Sequence, residues 1–323
     1  MTRPIRLIAM TTVATLALLG SGMAEEWSWT DASGKEIVLD HTPKRIVMWA
    51  NSAAALMPLG ITPVGVFADE DPKIDPNLRY LDLTGVDIVS ETWESVDAER
   101  ILALDPDLII TEFWLADRSY AGAIAVGGTQ TQLEKAIPII GIAQGSSIVT
   151  MIEDYTALAI ALGIPPDDTR LTEGRASFED ARDGFKAALA AKPGLQVLAG
   201  GASEDELYLA VAHNIAELSD FASWGMNFVD VGQGDEINAH YNFLSWENIQ
   251  DYPADLFMVD ARTGKEDIYA TLANHPLANR IPAVAAEQLT DWPAYWLRSY
   301  DAYAAELLRL TSVITTLDSD VVP

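Results

Sequence analysis

The sequence predicts an α/β protein of two lobes, each with a central, mostly parallel sheet flanked by helices, joined by one long rigid helix. Three observations support this fold class. Short apolar runs alternate with helical stretches along both halves of the 323-residue chain, which is typical of parallel sheets covered by helices. One residue pattern occurs in both halves. A charged helical segment lies between them.

Apolar runs bounded by turn residues mark the expected strands. In the first half they lie at 45–49, 63–67, 107–111 and 137–142, with helices expected at 52–59 and 97–104. In the second half they lie at 195–199, 228–231, 255–259 and 281–285. The predicted organisation is a signal peptide over 1–24, an N-terminal lobe over 25–165, a connecting helix over 166–192 and a C-terminal lobe over 193–323.

The repeated pattern is a helix start followed by a strand. Asp97 and Ser245 are good N-cap residues, and Glu99 and Glu247 follow two positions later. A carboxylate in the first turn suits the positive end of the helix dipole. In both halves an isoleucine follows the glutamate by two residues, and an Asp-Leu pair opens the next strand at the same spacing. The shared register indicates an internal duplication.

The connecting segment is bounded by residues that stop helices. Two prolines, at 165 and 166, precede it, and the sequence Lys192-Pro-Gly ends it. A single helix between two α/β lobes resists large hinge motion, and the cleft between such lobes is a natural ligand site.

The N-terminus has the pattern of a secretory signal. Arg3 and Arg6 precede the apolar stretch 7–19, and small residues end at Ala24, where we expect cleavage. The stretch is shorter than the roughly 20 residues that span a bilayer. The sequence has no cysteine, so it has neither disulfides nor a lipid-modified cysteine. These features predict a freely diffusing protein in a periplasm.

The formal net charge of −28 argues against partners that are themselves negative. Such a field repels nucleic acid and anionic lipid surfaces and attracts cationic partners. We therefore expect no nucleic-acid partner and no direct membrane insertion.

Taken together, these segments resemble the helix-linked (class III) periplasmic substrate-binding proteins that serve ABC importers of ferric siderophores, haem and cobalamin. The landmarks are Pro43-Lys-Arg-Ile-Val, Leu59-Gly-Ile-Thr-Pro-Val-Gly-Val, Ala98-Glu-Arg-Ile-Leu-Ala-Leu-Asp-Pro-Asp-Leu-Ile-Ile, the central helix and Leu244-Ser-Trp-Glu. The resemblance covers nearly the whole chain after the signal. It implies a monomer that holds its ligand, an iron(III) chelate, in the cleft and has no intrinsic cofactor.

The resemblance also implies a role for the repeated glutamates. In such proteins a surface glutamate on each lobe docks onto arginines of the inner-membrane permease, and Glu99 and Glu247 occupy the matching positions. Two carboxylates set far apart on one face fix both position and orientation on a cationic partner. The alternative, that each glutamate only favours its own helix start, leaves the matched pair unexplained.

Aromatic residues near expected strand ends are the candidates for the cleft. Loops past the carboxyl ends of parallel strands collect ligand groups, and rigid rings bury area with little loss of rotamer freedom. The aromatic and histidine candidates are Trp49, Trp93, Trp114, His240, Tyr241, Trp292, Tyr295 and Trp296. Arg118 and Arg298 are the cleft-side cations. So few cations favour a hydroxamate-like chelate over anionic catecholate or citrate chelates.

Other ligands and classes stay open at this point. The segments from Ile61 and around Trp93 also match cobalamin binders, and His240 or Tyr241 could supply an axial ligand to haem. A bare-metal site would use clustered histidines, whereas the four histidines here are scattered. A hydrolase is disfavoured, since no nucleophile elbow, phosphate-binding loop or His-Glu-x-x-His motif occurs.

Overall fold

The computed structural model describes residues 26–234, 239–262, 264–294 and 297–322. The predicted signal peptide over 1–24 and two of the cleft candidates, Tyr295 and Trp296, lie outside the described residues.

The first half forms a small hairpin and a six-stranded sheet. The hairpin pairs β1 (Trp27–Thr30) with β2 (Glu36–Leu39). The sheet contains β3 (Ile46–Trp49), β4 (Gly65–Ala68), β5 (Asp87–Glu91), β6 (Leu108–Trp114), β7 (Ser119–Tyr120) and β8 (Ile139–Gln144). Its order is β5-β4-β3-β6, with both β7 and β8 paired to β6. All its pairings are parallel except β6 with β7.

Helices of the first half connect these strands. They are α1 (Ala50–Leu56), α2 (Ala98–Ala103), α3 (Thr129–Leu133) and α4 (Ile148–Ala161), with 3-10 turns at Met57–Leu59 and Ala123–Ala125. The helix α5 (Thr169–Ala190) then leads to the second half.

The second half forms a five-stranded sheet in the order β11-β10-β9-β12-β13. The strands are β9 (Val197–Ala202), β10 (Glu206–Ala210), β11 (Tyr241–Ser245), β12 (Leu256–Asp260) and β13 (Leu289–Trp292). The helices are α6 (Ala216–Ser223), α7 (Lys265–Asn274), α8 (Pro282–Ala285) and α9 (Tyr300–Thr316), with 3-10 turns at Ala212–Asn214, Trp246–Asp251 and Ala278–Arg280. The pairings β9–β12–β13 are parallel, and β9–β10–β11 are antiparallel. The predicted fold class is confirmed, with this antiparallel extension in the second sheet.

Two expected strands of the second half are wrong. Within 228–231 only Phe228 makes a single bridge, to Val197. The run 281–285 is α8, which starts at Pro282, a residue that lacks the N–H a sheet needs but suits a first helical turn. The strand in this part of the chain is β13. It was not predicted because Thr290 and Asp291 are polar, and the prediction relied on apolar runs.

The repeated aspartate of the duplicated segment has the same structural role in both halves. Asp107 Oδ2 accepts hydrogen bonds from the backbone N–H groups of Lys44 and Arg45, each at 2.8 Å, just before β3. Asp255 Oδ2 accepts one from the N–H of Gln196 at 2.8 Å, just before β9. Each carboxylate therefore fixes the start of a neighbouring strand, which explains why the Asp-Leu pair recurs.

The helix α5 packs against the C-terminal helix α9 and buries one face. The buried face consists of Leu171, Gly174, Phe178, Ala181, Phe185 and Leu189, spaced three or four residues apart as expected for one face of a helix. The ring of Phe178 stacks on that of Tyr303 in α9, with centroids 5.3 Å apart. Asp168 caps the helix by accepting the N–H of Arg170 at 2.9 Å. The connecting helix is thus braced by a second helix rather than exposed on all sides.

A buried ion pair joins the first sheet to the segment that precedes α9. Glu112 in β6 and Arg298 are 0% and 4% exposed. The Arg298 Nε donates to Glu112 Oε1 at 2.6 Å, and an Nη donates to Oε2 at 2.9 Å. The Tyr155 hydroxyl and the Gln144 amide also donate to this carboxylate. A desolvated pair of this kind is tolerated only when its remaining hydrogen-bonding capacity is filled.

Two buried carboxyl groups on α6 lie between the halves. Asp220 Oδ2 accepts the N–H of Ile148, at the start of α4, at 2.9 Å and the Tyr303 hydroxyl at 3.0 Å. Glu217 Oε1 accepts the indole N–H of Trp292 at 2.8 Å, whereas its Oε2 has no hydrogen-bond partner within the described residues. Burial raises the pKa of Glu217 to about 8, so the group is mostly protonated at pH 7.

We expect Glu112→Gln to destabilise the protein by about 3–5 kcal/mol, because it leaves the Arg298 charge buried without an anion. Denaturant unfolding of the purified protein measures the change. Glu153→Gln is the matched control, since Glu153 pairs with Arg175 at 3.7 Å on the surface and should change the free energy of unfolding by less than about 1 kcal/mol. Equal effects of the two variants would contradict this role of the ion pair.

We expect Glu217→Gln to remove a pH dependence from the stability. The folded-state pKa of Glu217, about 8, lies above the ordinary glutamate value of 4.5. Between these values the folded state binds more protons than the unfolded state, so the free energy of unfolding falls as pH rises, by at most about 1.4 kcal/mol per pH unit. The glutamine variant should lack this slope and exceed the wild type in stability at pH 8. Exposed Glu206→Gln is the control, and identical pH slopes for all three proteins would refute the assignment.

Candidate ligand-binding cleft

A cavity of about 620 Å³ lies between the two sheets. From the first half it is lined by Trp49, Asn51, Asp69, Glu70, Asp75, Pro76, Asn77, Trp93, Trp114 and Gln144. From the second half it is lined by Ile215, His240, Tyr241, Arg262, Trp292, Ala294 and Arg298. Both halves therefore contribute side chains to one site.

The parallel strands explain why these residues meet. Trp49, Trp114, Gln144 and Trp292 are the last residues of β3, β6, β8 and β13. Asp69 and Glu70 directly follow β4. The carboxyl ends of parallel strands share one edge of a sheet, where α/β proteins collect ligand groups.

The predicted aromatic residues that the structure describes all line the cavity. Trp49 is buried and donates its indole N–H to Asp69 Oδ1 at 3.2 Å. Trp292 is buried, and its indole N–H donates to Glu217. Trp93 is 63% exposed, so its ring is available at the mouth. Trp114 from the first half approaches His240 from the second, with ring centroids 6.4 Å apart.

His240 and Tyr241 differ in their surroundings. Burial lowers the pKa of His240, so its imidazole is neutral at pH 7. The Tyr241 hydroxyl accepts a hydrogen bond from an Arg262 Nη at 3.1 Å and donates to Asp260 Oδ2 at 3.4 Å. Tyr241 is thus a buried lining residue whose hydroxyl is held in a polar network, whereas His240 is a half-buried lining residue.

The predicted cations are placed differently from expectation. Arg298 lines the cavity, but its guanidinium is committed to Glu112. Arg118 does not line it: the short antiparallel pairing of β6 with β7 puts Arg118 on an exposed turn with a positive φ of 53°. Arg262, which sequence reasoning missed, lines the cavity and is paired with Asp260.

Three carboxylates form a wall of the cavity that the sequence analysis also missed. We call Asp69, Glu70 and Asp75 the acidic wall. Burial raises the pKa of Asp75 to about 6 and raises that of Asp69, and neighbouring carboxylates add to both shifts. The available signal was position, because Asp69 and Glu70 come within three residues of the end of the expected strand at 63–67.

Gln144 is a further missed residue. It is 6% exposed and lines the cavity. Its amide nitrogen donates to Glu112, which fixes the orientation of the side chain. Its Oε1 has no hydrogen-bond partner within the part of the chain that is described, so it is an acceptor that a ligand could satisfy.

The proposed docking glutamates are both exposed. Glu99 lies in the first turn of α2, where Asp97 Oδ1 accepts its N–H at 2.9 Å, so the predicted cap is confirmed. Glu247 lies in the first turn of the 3-10 segment Trp246–Asp251, not in an α-helix, and Ser245 makes no side-chain capping bond. The expected cap at Ser245 is therefore wrong, although the positions of the two glutamates correspond.

Two further properties concern the described residues only. They contain no group of three or more histidine, cysteine, aspartate and glutamate side chains arranged to hold a metal ion. No helix among them has both the length and the apolar character needed to cross a membrane.

Solved structures resemble the chain over most of its length. DesE, a ferric-siderophore receptor protein from Streptomyces coelicolor, is 27% identical with a TM-score of 0.80, covering 91% of this chain and 99% of that one. The siderophore periplasmic binding protein from the fuscachelin gene cluster of Thermobifida fusca is 20% identical with a TM-score of 0.62, covering 84% and 96%. The heme binding protein HmuT is 18% identical with a TM-score of 0.62, covering 96% and 94%.

No curated protein sequence matches the chain. The family model described as periplasmic binding protein matches residues 61–296. That match covers the connecting helix α5, the second sheet and every strand of the first sheet except β3. The chain therefore belongs to the periplasmic binding protein family, with the helix-linked fold that its sequence landmarks predict.

Proposed function

We propose that this protein is exported to the periplasm, captures a ferric siderophore of hydroxamate type in the cleft and delivers it to an ABC importer of the inner membrane. The observation that carries the proposal is the tryptophan-lined cavity between the two lobes. Its volume of about 620 Å³ lies in the usual range for small-molecule sites. The likeness to DesE, described as a ferric-siderophore receptor, supports the ligand class.

The electrostatics of the cavity favour a hydroxamate over other chelates. Both arginines that line it among the described residues are already paired with carboxylates. Catecholate and citrate chelates of iron(III) carry negative charge and would face the acidic wall without a free cation to offset it. A ferric trihydroxamate is neutral at its centre, since three hydroxamate anions balance the metal.

Haem is the second candidate. His240 lines the cavity with a neutral imidazole, the form that binds iron. HmuT, described as a heme binding protein, shares the fold. A haem complex would show the absorption spectrum of axially ligated iron, and His240→Ala would change that spectrum, which distinguishes it from siderophore binding.

We expect the purified protein to show saturable tryptophan quenching by a ferric trihydroxamate, with Trp93→Ala weakening the affinity by about 10-fold, as expected for an aromatic contact. Calorimetry alongside the fluorescence controls for absorption by the coloured ligand. Trp29→Phe, in the β1–β2 hairpin, is the control and should leave the affinity unchanged. Binding of haemin or cobalamin alone would transfer the proposal to those ligands.

We expect Glu99→Ala combined with Glu247→Ala to abolish uptake while leaving ligand affinity unchanged, because the two exposed carboxylates are proposed to contact permease arginines. The measurement is accumulation of radioactive iron in cells that depend on this protein for uptake. Glu36→Ala combined with Glu266→Ala removes the same charge from other exposed positions and is expected to transport normally. Normal uptake by the first pair, or loss of its ligand binding, would refute docking through these residues.

A further inference from the structure

The side chain of Gln144 brings a buried acceptor to the wall of the cleft. The residue ends β8, is 6% exposed and lines the cavity. Its Oε1 is buried and has no hydrogen-bond partner within the described residues. An unmade hydrogen bond at a buried polar atom is costly, and such atoms are rare enough in native proteins that each requires an explanation. Since the residue lines the binding cavity, a donor on the ligand is the simplest partner.

Contacts with a buried carboxylate fix which end of this amide is unpartnered. Gln144 Nε2 donates to Glu112 Oε2, and Arg298 and Tyr155 donate to the same carboxylate. Rotating the amide by half a turn would place Oε1 against the carboxylate, and two acceptors cannot bond to each other. The buried ion pair therefore holds Gln144 with its Nε2 towards Glu112, and Oε1 stays available only as an acceptor.

An aromatic ring lies next to this acceptor. Gln144 in β8 stands directly beside Trp114 in β6, because the two are paired in the parallel register of these strands. Residues paired in register project from the same face of a sheet, and both line the cavity. A ligand that packs its hydrocarbon links on the indole of Trp114 therefore brings the polar groups within those links close to Gln144.

Only part of a ferric chelate can donate to Gln144. The oxygen atoms that bind iron(III) in a trihydroxamate are acceptors, as are the carboxylates of haem. A donor must come from the frame that links the hydroxamates, where secondary amides carry N–H groups. We propose that Gln144 Oε1 accepts a hydrogen bond from an amide N–H of this frame, so that the cleft selects ferric trihydroxamates with secondary amide links. This rests on the proposed siderophore function and adds to it a specificity-determining residue and a subclass of ligand.

The experiment compares two neutral ligands that differ in this donor. One is ferrioxamine E, a macrocyclic ferric trihydroxamate with secondary amide links, and the other is the analogue with an ester oxygen in place of each amide N–H. Isothermal titration calorimetry measures both affinities. We expect the wild-type protein to bind the amide form about 10-fold more tightly, because the ester form leaves a buried acceptor unpaired.

A substitution at Gln144 tests whether this residue causes the preference. Gln144→Met keeps the length of the side chain and removes its acceptor, so the ratio of the two affinities should fall close to one. Loss of the hydrogen bond to Glu112 affects both forms alike and cancels in the ratio. Gln132→Met makes the same chemical change at an exposed position of α3 that does not line the cavity, and its ratio should equal that of the wild type. Circular dichroism confirms that each variant is folded.

The outcomes separate this inference from the function beneath it. Equal affinity of the wild type for the amide and ester forms overturns the selection and leaves the siderophore function in place, and this comparison needs no variant. A preference that persists in Gln144→Met, with both forms weakened alike or not at all, overturns the role of Gln144. Failure of both forms to bind, with haemin or cobalamin binding instead, overturns the proposed function and this inference with it.

Discussion

The buried ion pair between Glu112 and Arg298 is the contact on which the arrangement of the cleft depends. Glu112 belongs to a central strand of the first sheet, and Arg298 follows the last strand of the second. Neither charge can remain buried alone, because an unpaired ion in the interior costs several kcal/mol. Folding therefore requires that the chain entering α9 returns to the first lobe. Glu112 also accepts the amide N–H of Gln144, which lines the cavity, and its pairing with Arg298 engages that guanidinium.

The helices behind the cleft add to this constraint. Phe178 of α5 stacks on Tyr303 of α9, and the hydroxyl of Tyr303 donates to Asp220 of α6, which in turn caps the start of α4. Large separation of the lobes would break these buried contacts together. A site held this way is largely formed before the ligand arrives, so little binding energy is lost to ordering it. This suits the rigid tryptophan rings that line the cavity and the rigid metal chelate proposed as its ligand.

Charge acts at three scales in this protein. The whole chain is strongly negative, which raises the encounter rate with cationic ligands and partners. In the proposed docking, the exposed Glu99 and Glu247, one on each lobe, present local carboxylates to a cationic permease surface. The acidic wall repeats the same sign inside the cleft, where burial makes each charge more effective.

The sequence alone determined the alternation of strands and helices, the connecting helix, the cap at Asp97 and most of the aromatic residues at the cleft, because each depends on local pattern or on position after a strand. Tertiary structure decided the rest. Whether Arg298 is a ligand-binding cation or a structural partner depended on Glu112, which is distant in sequence. The pairing of the two-residue strand β7 with β6 places Arg118 on an exposed turn outside the cavity. The strand β13 is too polar to be predicted from hydrophobicity. The carboxylates of the acidic wall all lie in the loop that follows β4, and only the tertiary structure shows that this loop turns them towards the cleft, because a local sequence does not specify which way a loop faces.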